Sequence, residues 1–182
     1  MAEFNDMQQI KRRFFAMRNG ALAEQMRRQG APYQIIFGLN LPQLTEISRD
    51  VEPSADLAER LWANTTTRES LLLAPMVYPK DEMTLSVALQ WATSCPTAEV
   101  ADILCHRLLR HLPFANEIVD ALADAERNLD RYVSLRLRLN LFPSRLEEAR
   151  MAAETELGRD CRLTQGVARQ IIDEVRCIAD ME

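Results

Sequence analysis

Apolar residues recur every three to four positions along nearly the whole chain, which is the period of a helix with one buried face. Val100, Ile103, Leu104 and Leu108 make one such stripe, and Leu57, Leu61 and Trp62 another. The spacing predicts helices over 5–18, 20–29, 42–50, 55–63, 67–77, 81–93, 97–111, 114–123, 128–141, 145–157 and 164–179. Few residues separate neighbours, so successive helices are expected to fold back on each other as antiparallel hairpins. Helix starts at 55, 81, 114 and 145 recur every 25–35 residues, the range of helical repeats. The expected fold is all-α, a right-handed α-solenoid of stacked antiparallel helix pairs, as a single domain over 1–182.

One run departs from that period. Leu135-Arg136-Leu137-Arg138-Leu139-Asn140-Leu141 alternates strictly, as a half-buried strand would. No second alternating run exists to pair its backbone, and an isolated strand is not stable. The run therefore reads as helix, with leucines on several sides because neighbours cover it. Helix starts are well marked. Ser54 precedes the 55–63 segment, and Thr66/Glu69 and Ser144/Glu147 have the spacing of capping boxes. Pro42, Pro79, Pro96, Pro113 and Pro143 fall at or just before helix starts, where a missing N–H costs least. Only five glycines occur, which leaves little material for β-hairpins.

Composition narrows the class further. With 47% apolar and 27% charged residues the chain is an ordinary globular protein, and no apolar run approaches the ~20 residues that span a bilayer. The opening residues, Met1 to Phe15, lack the apolar core and cleavage site of a secretory signal, so cytoplasmic residence and no membrane contact are expected. Cys95, Cys105, Cys161 and Cys177 form no C-x-x-C pair and are expected to be reduced, buried and apolar in role. Cys105, His106 and His111 lack the paired spacing of a zinc site, so neither a metal nor another cofactor is expected. A net charge of −5 argues against a strongly basic nucleic-acid binder. The cations are nevertheless unusual: Lys11 and Lys80 are the only lysines among 22. Arginine's planar fork suits phosphate, although a GC-rich genome would produce the same bias without function.

The 97–111 segment carries the densest chemistry. Glu99, Asp102, His106 and Arg110 form a polar stripe beside its apolar one. Asp102 and His106, four apart, have the spacing of a shared hydrogen bond and of a general-base pair; solvated i,i+4 pairing is the plainer alternative. Arginine pairs follow on successive helices: Arg107 and Arg110, then Arg131 and Arg138, then Arg169 and Arg176. Side by side, such helices would offer a cationic track to the phosphates of duplex DNA. Residues 97–142 hold six arginines against seven acids, so the track requires Glu117, Asp120, Asp124 and Glu126 to lie on outer helices. An acidic partner protein would suit the same track.

Between Tyr33 and Pro79 the chain carries Phe37-Gly38, Leu41-Pro42, Leu57, Leu61, Trp62 and Glu69. This segment resembles the N-terminal signature of the DNA alkylation repair (AlkD-like) glycosylase family, built from HEAT-like helical repeats. The resemblance implies a catalytic aspartate on a middle helix, matched by Asp102, that stabilises an oxocarbenium-like sugar. It also implies a Trp four residues earlier, where this chain has Ala98. At a third pocket element Leu129-Asp130-Arg131-Tyr132 keeps the arginine, Arg131, and loses the aromatic before it. Family members commonly run further and supply another Trp; this chain ends at Glu182 with none after Trp91. The resemblance thus implies a divergent, non-catalytic DNA-binding scaffold first. An active glycosylase excising alkylated purines with Asp102, or a protein-interaction scaffold, are the alternatives.

Overall fold

The computed structural model describes residues 6–180. Among them the helical period is realised as α1 (Asp6–Ala16), α2 (Gly20–Arg28), α3 (Leu41–Arg49), α4 (Ala55–Ala63), α5 (Arg68–Val77) and α6 (Leu85–Ser94). These are followed by α7 (Ala98–Arg107), α8 (Ala115–Leu122), α9 (Asn128–Asn140), α10 (Leu146–Gly158) and α11 (Arg162–Ala179). The start expected at residue 5 lies outside the described residues. The 97–111 helix is interrupted at Leu108, whose φ of −125° leaves the helical region, and continues as a 3₁₀ turn over Leu109–His111. Residues 79–82 form a turn closed by Glu82 N–H donating to the Pro79 carbonyl, so α6 begins late, capped by Thr84. No helix among the described residues is long and apolar enough to cross a membrane.

The helices gather into two compact units, α1–α5 and α6–α11. In the first, Ile10, Phe14, Leu44, Ile47, Leu57, Leu61 and Leu71 to Leu73 are buried, and α4 packs along α5. The 31–40 segment threads this unit as irregular backbone and is pinned at Ile35 and Phe37. Ile35 N–H donates to the Thr66 carbonyl and Arg68 N–H to the Ile35 carbonyl, while Asn19 N–H donates to the Phe37 carbonyl. The middle of the segment is held by Glu69, which is fully buried. Its carboxylate accepts the N–H groups of Phe37 (3.1 Å), Gly38 (2.9 Å) and Leu39 (3.3 Å), and Arg68 Nη1 at 2.9 Å.

That arrangement corrects the capping box expected at Thr66/Glu69. Thr67 is the N-cap, no side chain caps α5, and Glu69 satisfies a loop 30 residues away instead of its own helix. The box at Ser144/Glu147 does not form either. Arg145 occupies the cap position of α10 with a left-handed φ of 53°, and Glu147 pairs with Arg150. Ser54 caps α4 as expected, and a box missed in the sequence joins Asn40 and Gln43 at α3.

In the second unit α9 is the central helix, touched by α6, α7, α8, α10 and α11. This enclosure explains the alternating leucines: Leu129, Val133, Leu135 and Leu137 are all buried although they do not share one face. Trp91 is buried on α6 and fills core. Cys95 and Cys105 are buried thiols as expected; burial pushes Cys95 up to about 12 and Cys105 well above its ordinary value. Cys161 and Cys177 depart from that expectation, being half-buried and exposed, and all four are free.

Candidate nucleic-acid interface

Because α9 is enclosed, each of its sides serves a different neighbour, and its polar residues sort accordingly. Tyr132 and Arg136, one turn apart, face α7 and α11. The Tyr132 hydroxyl donates to Asp102 Oδ1 at 2.8 Å, and Arg136 Nη2 donates to the Tyr132 hydroxyl oxygen at 3.1 Å. Arg136 Nε lies 2.7 Å from the same Asp102 oxygen but is not aligned for a hydrogen bond, so that contact is an ion pair. Arg136 Nη1 reaches Gln170 Oε1 on α11 at 3.4 Å. Burial raises the Tyr132 phenol to about 12, and the neighbouring Asp102 charge reinforces that shift. Burial opposes the charge on Arg136, but its hydrogen bond to Tyr132 and the charge of Asp102 outweigh it and raise its pKa.

Asp102 is therefore a compensated carboxylate, with a guanidinium and a phenol on one oxygen. Among the described residues Oδ2 makes no hydrogen bond, and the side chain is 40% exposed. The expected Asp102–His106 hydrogen bond is not made. His106 instead contacts Arg110, its Nδ1 lying 3.2 Å from Nη1. Partial burial and the charges of Arg110 and Arg107 lower the His106 pKa, which disfavours the imidazolium. The aromatic beside Asp102 is Tyr132, and it offers a hydroxyl, not an indole face.

Each arginine of the expected track has its own surroundings. Arg107 and Arg110 are half-buried at the end of α7 and in the 3₁₀ turn. Arg131 and Arg138 point away from Asp102, toward the α8 and α10 layer. Arg131 is buried, and every nitrogen is engaged: Nε with Glu156, Nη1 with the Ala125 and Glu126 carbonyls, and Nη2 with Asn128. Four of its five N–H groups are spent inside the protein, and the side chain is buried. Arg138 is 9% exposed and lies 3.7 Å from Asp120. Spacing of seven did place these two on one face, but that face packs inward on acids of the second layer.

Arg169 and Arg176 on α11 are exposed, and neither makes an ion pair or hydrogen bond among the described residues. Arg162, seven residues before Arg169, completes a stripe of three free guanidinium groups along one helix. Sequence reasoning missed Arg162, Tyr132 and Arg136. The heptad spacing of 162, 169 and 176 was available for the first. For the others the signal was a 34-residue interval, since Asp102, Arg136 and Gln170 follow one another at that repeat length. Of the acids expected on an outer helix, Asp120 and Asp124 do lie at α8 and pair with Arg145 and Arg159 of the α10 layer.

The fold has a clear relative. A solved structure described as "A new family of proteins related to the HEAT-like repeat DNA glycosylases with affinity for branched DNA structures" superposes with a TM-score of 0.81. It shares 13% sequence identity, over 92% of this chain and 74% of that one, so the likeness is one of fold. No curated protein sequence matches the chain. The sequence model of the DNA alkylation repair enzyme family matches residues 10–156. Spanning most of the chain and both helical units, that match makes this all-α, HEAT-like repeat protein a member of the DNA alkylation repair enzyme family.

Proposed function

We propose that this protein is a non-catalytic member of its family that binds DNA through phosphate contacts. The observation that carries this reading is the α11 stripe of Arg162, Arg169 and Arg176. It consists of three exposed guanidinium groups without partners in a chain whose other arginines are largely spent on acids. Planar donors of this kind match phosphate oxygens, and such binding is electrostatic and insensitive to base sequence. Asp102 supports the non-catalytic half of the proposal. Stabilising a developing oxocarbenium ion calls for an uncompensated carboxylate, whereas Arg136 already neutralises this one at 2.7 Å. The structural relative's affinity for branched DNA suggests a four-way junction as the first substrate to try, beside plain duplex.

Fluorescence anisotropy against salt tests the binding. Both DNAs should bind at low salt, and Arg169→Ala with Arg176→Ala should flatten the log–log salt dependence by up to about 1.8, at ~0.9 per lost phosphate contact. Absence of binding to either DNA at low salt would remove the proposal and leave a protein-interaction scaffold. A second reading, an active glycosylase, is favoured by the partial exposure of the Asp102 side chain, whose Oδ2 makes no hydrogen bond among the described residues. Release of N3- or N7-alkylpurines that disappears in Asp102→Asn would establish it; the expected result is no release from either protein.

A further inference from the structure

A pocket of about 300 Å³ opens between α8, α9 and α10, away from the Tyr132 and Arg136 side of α9 that meets Asp102. Two arginines of α9, seven apart, line it and differ sharply in how they are satisfied. Arg131 has every guanidinium nitrogen engaged. Arg138 is buried just as deeply, yet its guanidinium makes no hydrogen bond among the described residues, and its Nε is shielded from solvent. Its one ionic contact is long: Nη2 lies 3.7 Å from Asp120, a carboxylate held more closely by Arg145 at 2.9 Å. A buried guanidinium without hydrogen bonds is costly, and such groups are ordinarily satisfied by a partner. Burial and the neighbouring Arg145 lower the Arg138 pKa, partly offset by Asp120 and Glu148, which marks a charge the fold does not fully compensate.

The rest of the lining indicates what that partner is. Arg159 bridges Asp124 and Glu156 at the rim. Arg131 and Arg159 each hold a close carboxylate, while Asp120 stands 3.7 Å from Arg138 and is shared with Arg145, so Arg138 is the lining cation without a close anion of its own. Leu135, Ala152 and Met151 supply an apolar strip of the wall, and the hydroxyls of Ser134 and Thr155 beside it donate to the Val119 and Met151 carbonyls. A single negative charge joined to a short hydrocarbon matches both halves, and a carboxylate fits a guanidinium fork in two-point contact. Inorganic phosphate carries more charge than the single under-compensated guanidinium and has nothing to lay on Leu135 and Met151.

The geometry points to a binding site for a small aliphatic monocarboxylate, its carboxylate on Arg138 and its chain along Leu135 and Met151. This site is separate from Asp102 and from the α11 arginines, so it stands or falls independently of DNA binding.

The test is an NMR titration of the ¹⁵N-labelled protein with butyrate, butanamide and inorganic phosphate. Butyrate should shift amides within 131–138 and 151–159 and saturate. Butanamide, equal in shape but uncharged, should bind at least about tenfold more weakly, as expected for loss of a charge-assisted hydrogen bond. In Arg138→Gln, butyrate should lose its advantage over butanamide, with helicity checked by circular dichroism. If that variant does not fold, the comparison of the two ligands on the unaltered protein decides alone. Equal binding of butyrate and butanamide, shifts confined to other regions, or tighter binding of phosphate would each overturn the assignment.

Discussion

Gly38 and Glu69 show how single residues hold the 31–40 segment. Gly38 has φ +78°, and a Cβ there would stand 2.3 Å from the Asn19 carbonyl oxygen. Only glycine combines that backbone with that approach, while Glu69 accepts the N–H groups the irregular backbone leaves unpaired. Gly38→Ala should therefore lose roughly 1–2 kcal/mol to the left-handed backbone alone, and more to the clash, as measured by urea denaturation. The sequence showed Phe37-Gly38 and Glu69 as parts of one motif. Their physical link was not legible, because the bonds cross 30 or more residues. Tyr132 supplies a second prediction at this scale. Its pKa is raised from 10 to about 12, so the stability it contributes is complete below pH 10 and is lost as pH rises toward 12. Tyr132→Phe should show a shallower fall in stability across that window in pH-dependent denaturation.

Among the elements, α9 decides most of the second unit's character. Its sequence alternates like a strand, yet enclosure by five helices gives apolar residues a burial site on nearly every side. The same enclosure divides its cations, sending Arg136 toward Asp102 and Arg131 and Arg138 toward α10 and α8. Arg131 and Glu156 form a buried pair that joins α9 to α10, and Thr164 of α11 donates to the same carboxylate at 2.8 Å. Removing one member of a buried pair leaves the other charge stranded. Glu156→Ala is expected to cost about 3–5 kcal/mol, read as a lower midpoint in chemical denaturation. Breaking an exposed pair such as Arg150 with Glu147 should leave that midpoint nearly unchanged by the same measurement.

For the whole molecule, a net charge of −5 limits how DNA can be held. Bulk attraction is absent, so binding must rest on a few local arginines. Three phosphate contacts from α11 imply a log–log salt slope near −2.7, which the anisotropy titration measures directly; a slope near −6 would require cations beyond the three assigned. The sequence by itself determined the all-α class, most helix positions and the family, since these follow from periodicity, proline placement and local signatures. It did not determine which side of each helix faces which neighbour. Arg131 and Arg138 show the reason: a spacing of seven proves a shared face, but only packing reveals that the face turns inward to Glu156 and Asp120. Asp102 was identifiable from its surroundings in sequence, whereas its hydrogen bond from Tyr132 and its ion pair with Arg136, 30 and 34 residues away, exist only after α7 and α9 are brought together.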